Sequence, residues 1–182
     1  MTNHNGTWQQ ILRERLPVYG HRNWIVVADS AYPAHAAPGI ETITAGADLI
    51  CVLASVLAQL DGAPHLYPTI YTDRELPFIP EEDAPGVSNF RRLLMEQMES
   101  RVVEQLPHDE ILAEVDKAGR LFQVLIIKTC TTIPYTSVFL ELGCGYWNPG
   151  AERRLREALA AEERRAAADT AEPPPKIVNC NA

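Results

Sequence analysis

The chain has 182 residues, 46% of them hydrophobic, and a formal net charge of -8. That length and apolar content suit one globular domain with a sizeable core. The acidic balance argues against a nucleic-acid surface, which needs clustered Lys and Arg. No apolar run approaches the roughly 18 residues of a membrane span, so neither nucleic acid nor membrane is an expected partner.

In chain order, residues 7–17 read as a helix, with Thr7 as its cap and Trp8, Ile11, Leu12 and Leu16 as an apolar stripe. The start of the chain, Met1 to Trp8, has neither the basic nor the apolar region of a secretory leader, so a cytoplasmic location is expected. Gly20-His21 then leads into Trp24-Ile25-Val26-Val27-Ala28, a short strand buried on both faces. Asp29 falls where that strand stops, and Ser30, Tyr32 and Pro33 supply turn chemistry. Ligands of open α/β sheets bind beyond the carboxyl ends of strands, so a carboxylate there is well placed to meet one. His21 has the side chain whose ordinary pKa lies nearest neutrality, and with Asp29 it forms a candidate acid/base pair. The competing role for Asp29 is a turn former or helix cap, and for His21 a surface or core histidine.

The loop of residues 30–39 is followed by a short strand or helix near Thr42. Asp48 to Leu60 is strongly apolar and reads either as a strand followed by a helix or as one buried helix. Pro68 to Thr72 reads as a strand, and residues 73–88 as a Pro-rich acidic loop. Asn89 to Gln105 reads as one amphipathic helix, its stripe running from Phe90 to Val102. Pro107-His108-Asp109 starts another, carrying Ile111, Leu112 and Val115.

Phe122 to Ile127 and Ser137 to Leu142 read as strands joined by a polar loop. Lys128, Cys130 and Tyr135 lie on that connection, and Pro134 biases Ile133 toward extended geometry. Tyr135 is a candidate site residue, with a core aromatic as the competing role. Ala151 to Asp169 has strong helix propensity and only Leu155 and Leu159 as large apolar anchors. It reads as an exposed helix, with Pro173 to Pro175 opening a tail. This divides the chain into a domain of residues 1–150 and an extension of residues 151–182.

Cys51, Cys130, Cys144 and Cys180 make no Cys-x-x-Cys pair and have no histidine at zinc spacing, so no metal site is expected. Cys51 reads as core, and Cys130 would act as a nucleophile only with a base in reach. Glu141-Leu142-Gly143-Cys144-Gly145 looks like a methyltransferase glycine loop, but it stands near the end of the chain, where 37 residues of mostly polar helix and tail follow it. Gly143 and Gly145 more simply shape a bend or a close backbone approach.

Together, Gly20-His21, Ile25-Val26-Val27-Ala28-Asp29 with Pro33, and Pro134-Tyr135-Thr136-Ser137 before an apolar strand and Gly143 resemble the D-ribose pyranase / L-fucose mutarotase family. Pro38 to Ile43 also looks similar, and the resemblance covers about residues 8 to 147. It implies a three-layer α/β/α sandwich with a mixed, mostly parallel sheet, to which this chain adds its C-terminal helix. It implies a cofactor-independent mutarotase or pyranase that interconverts anomers or ring forms of a free monosaccharide, L-fucose-like or D-ribose-like. It further implies a homo-oligomeric ring, often a decamer, with sites built between subunits.

By that resemblance His21 is the general acid/base, and Asp29 binds sugar hydroxyls or orients the imidazole. Tyr135 contributes its hydroxyl as a proton relay or donor, Ser137 binds substrate, and Lys128 is a further candidate for substrate binding. Ser137 stands where the family has asparagine, and Cys130-Thr131 replaces a glycine-acid pair. The family's helix histidine falls on Ala113 in an ungapped match, and His108 takes its place only if the alignment shifts. The competing class is a non-catalytic sugar-binding or regulatory protein on the same fold.

Overall fold

A computed structural model describes residues 7–170. The expected tail from Pro173 onward lies outside the described residues. Two compact units meet between Tyr146 and Trp147. The first carries α1 (Trp8–Arg15), β1 (Trp24–Ala28), β2 (Ile40–Thr44), α2 (Leu49–Asp61), β3 (Leu66–Asp73), α3 (Val87–Met98), β4 (Val103–Leu106), α4 (His108–Leu121), β5 (Val124–Lys128) and β6 (Val138–Cys144). The second carries α5 (Pro149–Thr170), whose turns are laced by Arg156 to Glu152 and by the Trp147 indole to Glu152.

The six strands form one sheet in the order β2-β5-β1-β6-β3-β4. Pairing is parallel except at β6, which runs antiparallel to β1 and β3 on either side of it. The sheet is therefore mixed and mostly parallel, and helices cover both faces. Alternate residues of β1 show why. Ile25 and Val27 pack with Leu12, Val52, Val56 and Phe90 of α1, α2 and α3. Trp24, Val26 and Ala28 pack with Ile111, Val115 and Ala118 of α4. A strand apolar at every position has no solvent face to present, so it sits inside three layers. Each such Val or Ile contributes about 1.5–3 kcal/mol by its burial.

Local signals set several boundaries. Thr7 accepts the Gln10 N–H and starts α1. Asp48 accepts the Ile50 N–H and starts α2, which settles the apolar run after it as one helix. Two expectations are corrected. Cys51 is exposed rather than core, because α2 is apolar nearly all round and packs Val52, Leu53 and Val56 inward instead. The helix expected over Asn89 to Gln105 ends at Met98, and Val103–Leu106 is β4, paired with β3 at the sheet edge. An edge strand with both middle residues exposed has no apolar alternation to announce it.

Candidate active site

The carboxyl ends of β1, β3 and β5 lie at one end of the sheet, and β6 enters there. The loops that leave or reach these ends build a cleft of about 300 Å³, the small end of the range for ligand pockets. Asp29, Tyr32, His108, Thr132 and Tyr135 line it.

Asp29 follows β1 and is fixed at both carboxylate oxygens. Oδ1 accepts the Ala31 N–H at 2.8 Å, an Asx turn, and Oδ2 accepts the Ser137 hydroxyl at 2.9 Å. The Ser137 hydroxyl in turn accepts the Asp29 N–H at 3.2 Å. Ser137 is wholly buried and lies beneath Asp29, away from the cleft. Lys128, at the end of β5, donates to the Tyr32 carbonyl at 2.7 Å and so ties the loop after β1 to β5. Ser30 N–H donates to the Thr131 carbonyl at 2.8 Å across the same gap. Cys130 is exposed on this loop.

Tyr135 is partly exposed and holds a left-handed backbone with φ of 55°. A bulky residue there is strained, and such residues gather at functional sites. Pro134 before it and the Thr136 hydroxyl, which donates to the Ile133 carbonyl at 2.7 Å, hold the turn in place.

Against the edge of the Tyr135 ring stands the imidazole of His108, their centroids 5.2 Å apart. His108 is the first residue of α4. Its N–H donates to both carboxylate oxygens of Glu75, at 3.1 and 3.2 Å. Its Nδ1 lies 3.0 Å from Oδ1 of Asp73, the last residue of β3. Asp73 is fully buried. Burial pushes its carboxyl up to about 6, against the hydrogen bond and charge of His108, with Glu75 and Asp29 adding to the rise. Burial also raises the Tyr32 hydroxyl well above its ordinary value, helped by the charges of Asp73 and Asp29.

Of the residues singled out in the sequence, the chain brings Asp29 and Tyr135 into one cleft, with Ser137 and Lys128 as supports behind it. His21 is not among them. It is exposed in the turn before β1, where Arg22 Nε donates to its Nε2 at 3.3 Å. The five residues of β1 alone put about 16 Å between its two ends. His21 and Asp29 therefore form no pair within one chain.

His108 is the cleft residue that the sequence offered only as a replacement for the family's helix histidine under a shifted alignment. Its signal was present: a histidine opening a helix directly after a strand lies at a carboxyl end of the sheet. With β4 read as helix, that signal was hidden.

The RbsD / FucU transport protein family matches residues 4–145. No curated protein matches the chain. Among solved structures, Bacillus subtilis RbsD complexed with D-ribose is 18% identical, with a TM-score of 0.55 over 79% of this chain and 98% of that one. FucU from Bifidobacterium longum is 15% identical, with a TM-score of 0.52 over 74% of this chain and 94% of that one. Both share the fold. With the family match running from before α1 to the end of β6, the chain belongs to the RbsD / FucU transport protein family.

Proposed function

We propose that this protein is a cofactor-independent sugar mutarotase or pyranase. One observation carries the reading: in a chain of this family, a carboxylate, an imidazole and a phenol converge on a small cleft at the strand ends. The B. subtilis relative of this fold is complexed with D-ribose.

Ring opening removes the proton of the anomeric hydroxyl, forms the carbonyl at C1, breaks the bond from C1 to the ring oxygen and protonates that oxygen. Closure on either face of the carbonyl reverses each transfer. One proton acceptor and one donor suffice, and each is worth about 10²- to 10⁴-fold. His108 takes the first proton and Tyr135 supplies the second, while Asp29 binds sugar hydroxyls. Ser137 and Lys128 keep Asp29 and its loop in position. His21 acts as a further acid/base on the cleft of a second copy, in the homo-oligomeric ring that membership of this family implies.

Saturation-transfer NMR between anomers of ribose, fucose, galactose, glucose, arabinose and rhamnose tests the reading. Exchange faster than buffer for one of these, lost in Tyr135→Phe, supports it and names the sugar. A folded protein that accelerates none of them overturns it for these sugars and leaves a binding role.

A further inference from the structure

The proposed reaction gives no part to Asp73, yet no acid in the sheet is more completely buried. A buried carboxylate is costly unless its surroundings repay it. Here only one oxygen is repaid. Oδ1 meets His108 Nδ1 at 3.0 Å, while Oδ2 and the neighbouring Tyr32 hydroxyl have no hydrogen-bond partner among the described residues. An apolar residue would serve stability better at this position, so the contact with His108 is what the acid supplies.

That contact determines where the imidazole proton sits. An ionised carboxylate has no proton to give, so His108 Nδ1 must donate to it. In the neutral ring the lone pair is then on Nε2, and Nε2 is the nitrogen left to reach the cleft that His108 lines. Two further contacts place the residue. Glu75 receives the His108 backbone N–H on both oxygens and anchors the start of α4, and the imidazole and the Tyr135 ring meet edge to face.

We infer that Asp73 is a positioning residue: it holds the His108 imidazole with its proton on Nδ1 and its Nε2 lone pair turned to the cleft, ready to accept the proton of an anomeric hydroxyl. This rests on the reading of the cleft as a sugar site. When Nε2 takes that proton, the ring becomes an imidazolium whose Nδ1–H already faces a carboxylate, and the charge is met where it forms. The proton returns to the sugar on ring closure, so Asp73 itself neither gains nor loses one.

The groups that face Asp73 are His108 from α4, Glu75 from the turn after β3, and Asp29 and Tyr32 from the loop after β1. His108 favours the ionised acid, and the two carboxylates oppose it. The device therefore works above the titration of Asp73 and fails below it, which gives turnover an acid limb.

The experiment uses protein with ¹⁵N-labelled histidine, the His108 signals being assigned by their loss in His108→Gln. At neutral pH the wild type is expected to show Nδ1 protonated and Nε2 bare. In Asp73→Asn the side-chain amide can donate to Nδ1, so the tautomer shifts toward Nε2–H. For whichever sugar is turned over, kcat then falls about 10²-fold or more, as expected of a misplaced imidazole proton. KM stays within about threefold, because no sugar contact has changed.

An Nε2–H tautomer in the wild type overturns the inference, as does an unchanged kcat in Asp73→Asn. The wild-type tautomer needs only the His108→Gln assignment, and neither Asp73→Asn nor a sugar. It decides the point if Asp73→Asn does not fold, and it separates failure of this inference from failure of the sugar reading, in which the wild type turns over nothing.

Discussion

Ser137 grips Asp29 twice, giving its hydroxyl proton to the carboxylate at 2.9 Å and taking the backbone N–H at 3.2 Å. The two residues are 108 positions apart in sequence, so this pair joins the end of β1 to the entry of β6. Ser137→Ala removes both bonds and leaves a half-buried carboxylate oxygen with one partner fewer. A hydrogen bond to a charged group is worth about 1.5–3 kcal/mol. The variant is expected to lose stability of that order by urea unfolding at constant m. KM for the sugar should rise more than kcat falls, since Asp29 is loosened while the proton-transfer groups stay in place.

Tight backbone approach is needed where α4 meets the start of β2. A Cβ on Gly39 would lie 2.2 Å from the Phe122 carbonyl oxygen and 2.6 Å from that of Gly119. Neither backbone atom can swing aside. Gly39→Ala is expected to destabilise the fold by about 3 kcal/mol, at the upper end for overpacking. Gly20→Ala has nothing within 4 Å of the added carbon and serves as control. Equal midpoints for the two variants in urea would contradict this packing.

Stability and catalysis pull Asp73 in opposite directions. The folded chain holds this carboxyl at about 6, against an ordinary value of 3.8. Between those two values the folded state keeps a proton that the unfolded chain has released, so stability falls as pH rises through the window and stays lower above it. The difference of about two units corresponds to about 3 kcal/mol. Asp73→Asn carries no charge and lacks this loss. Near pH 7.5 it is expected to outlast the wild type in urea by up to that amount, and near pH 4 the two should converge. A variant less stable than the wild type at both pH values would show that the contact with His108 outweighs burial.

If His21 serves the cleft of a second copy, two impaired proteins can repair one another. His21→Ala keeps an intact cleft and Tyr135→Phe keeps an intact histidine. Unfolded together in equal amounts and refolded, they should recover about a quarter of wild-type turnover, the share of sites that receive both intact parts by random assembly. Recovery of none would mean that His21 has no part in a shared site.

β1 was legible because its pattern admits one solution: a strand apolar at all five positions belongs inside three layers. The run of α2 left two readings open, a strand followed by a helix or one helix, because its apolar residues do not alternate, and the Asp48 cap decides for one helix. β4 was not legible, because a four-residue edge strand with exposed Glu104 and Gln105 continues the polar spacing of the helix before it. That loss spread to the site, since His108 means little until a strand is seen to end beside it. His21 is legible only in part. Its spacing from Asp29 matches a family pattern, but the five-residue strand between them holds the two apart within one chain, so any role for it lies with a second copy, which one sequence does not display.

The sheet order carries a consequence in time. β6 is the last strand among the described residues and lies between β1 and β3, so the strand ends bearing Asp29 and Asp73 flank an empty lane until it arrives. Tyr135 and Ser137 come with it. Pairings this distant in sequence require large loops to close before any contact rewards them, which makes them slow. During synthesis, the segment through β5 can gather its helices and parallel strands but has no floor under Asp29 and no phenol beside His108. Competence therefore appears in one step, when the final strand slots into the middle of the sheet.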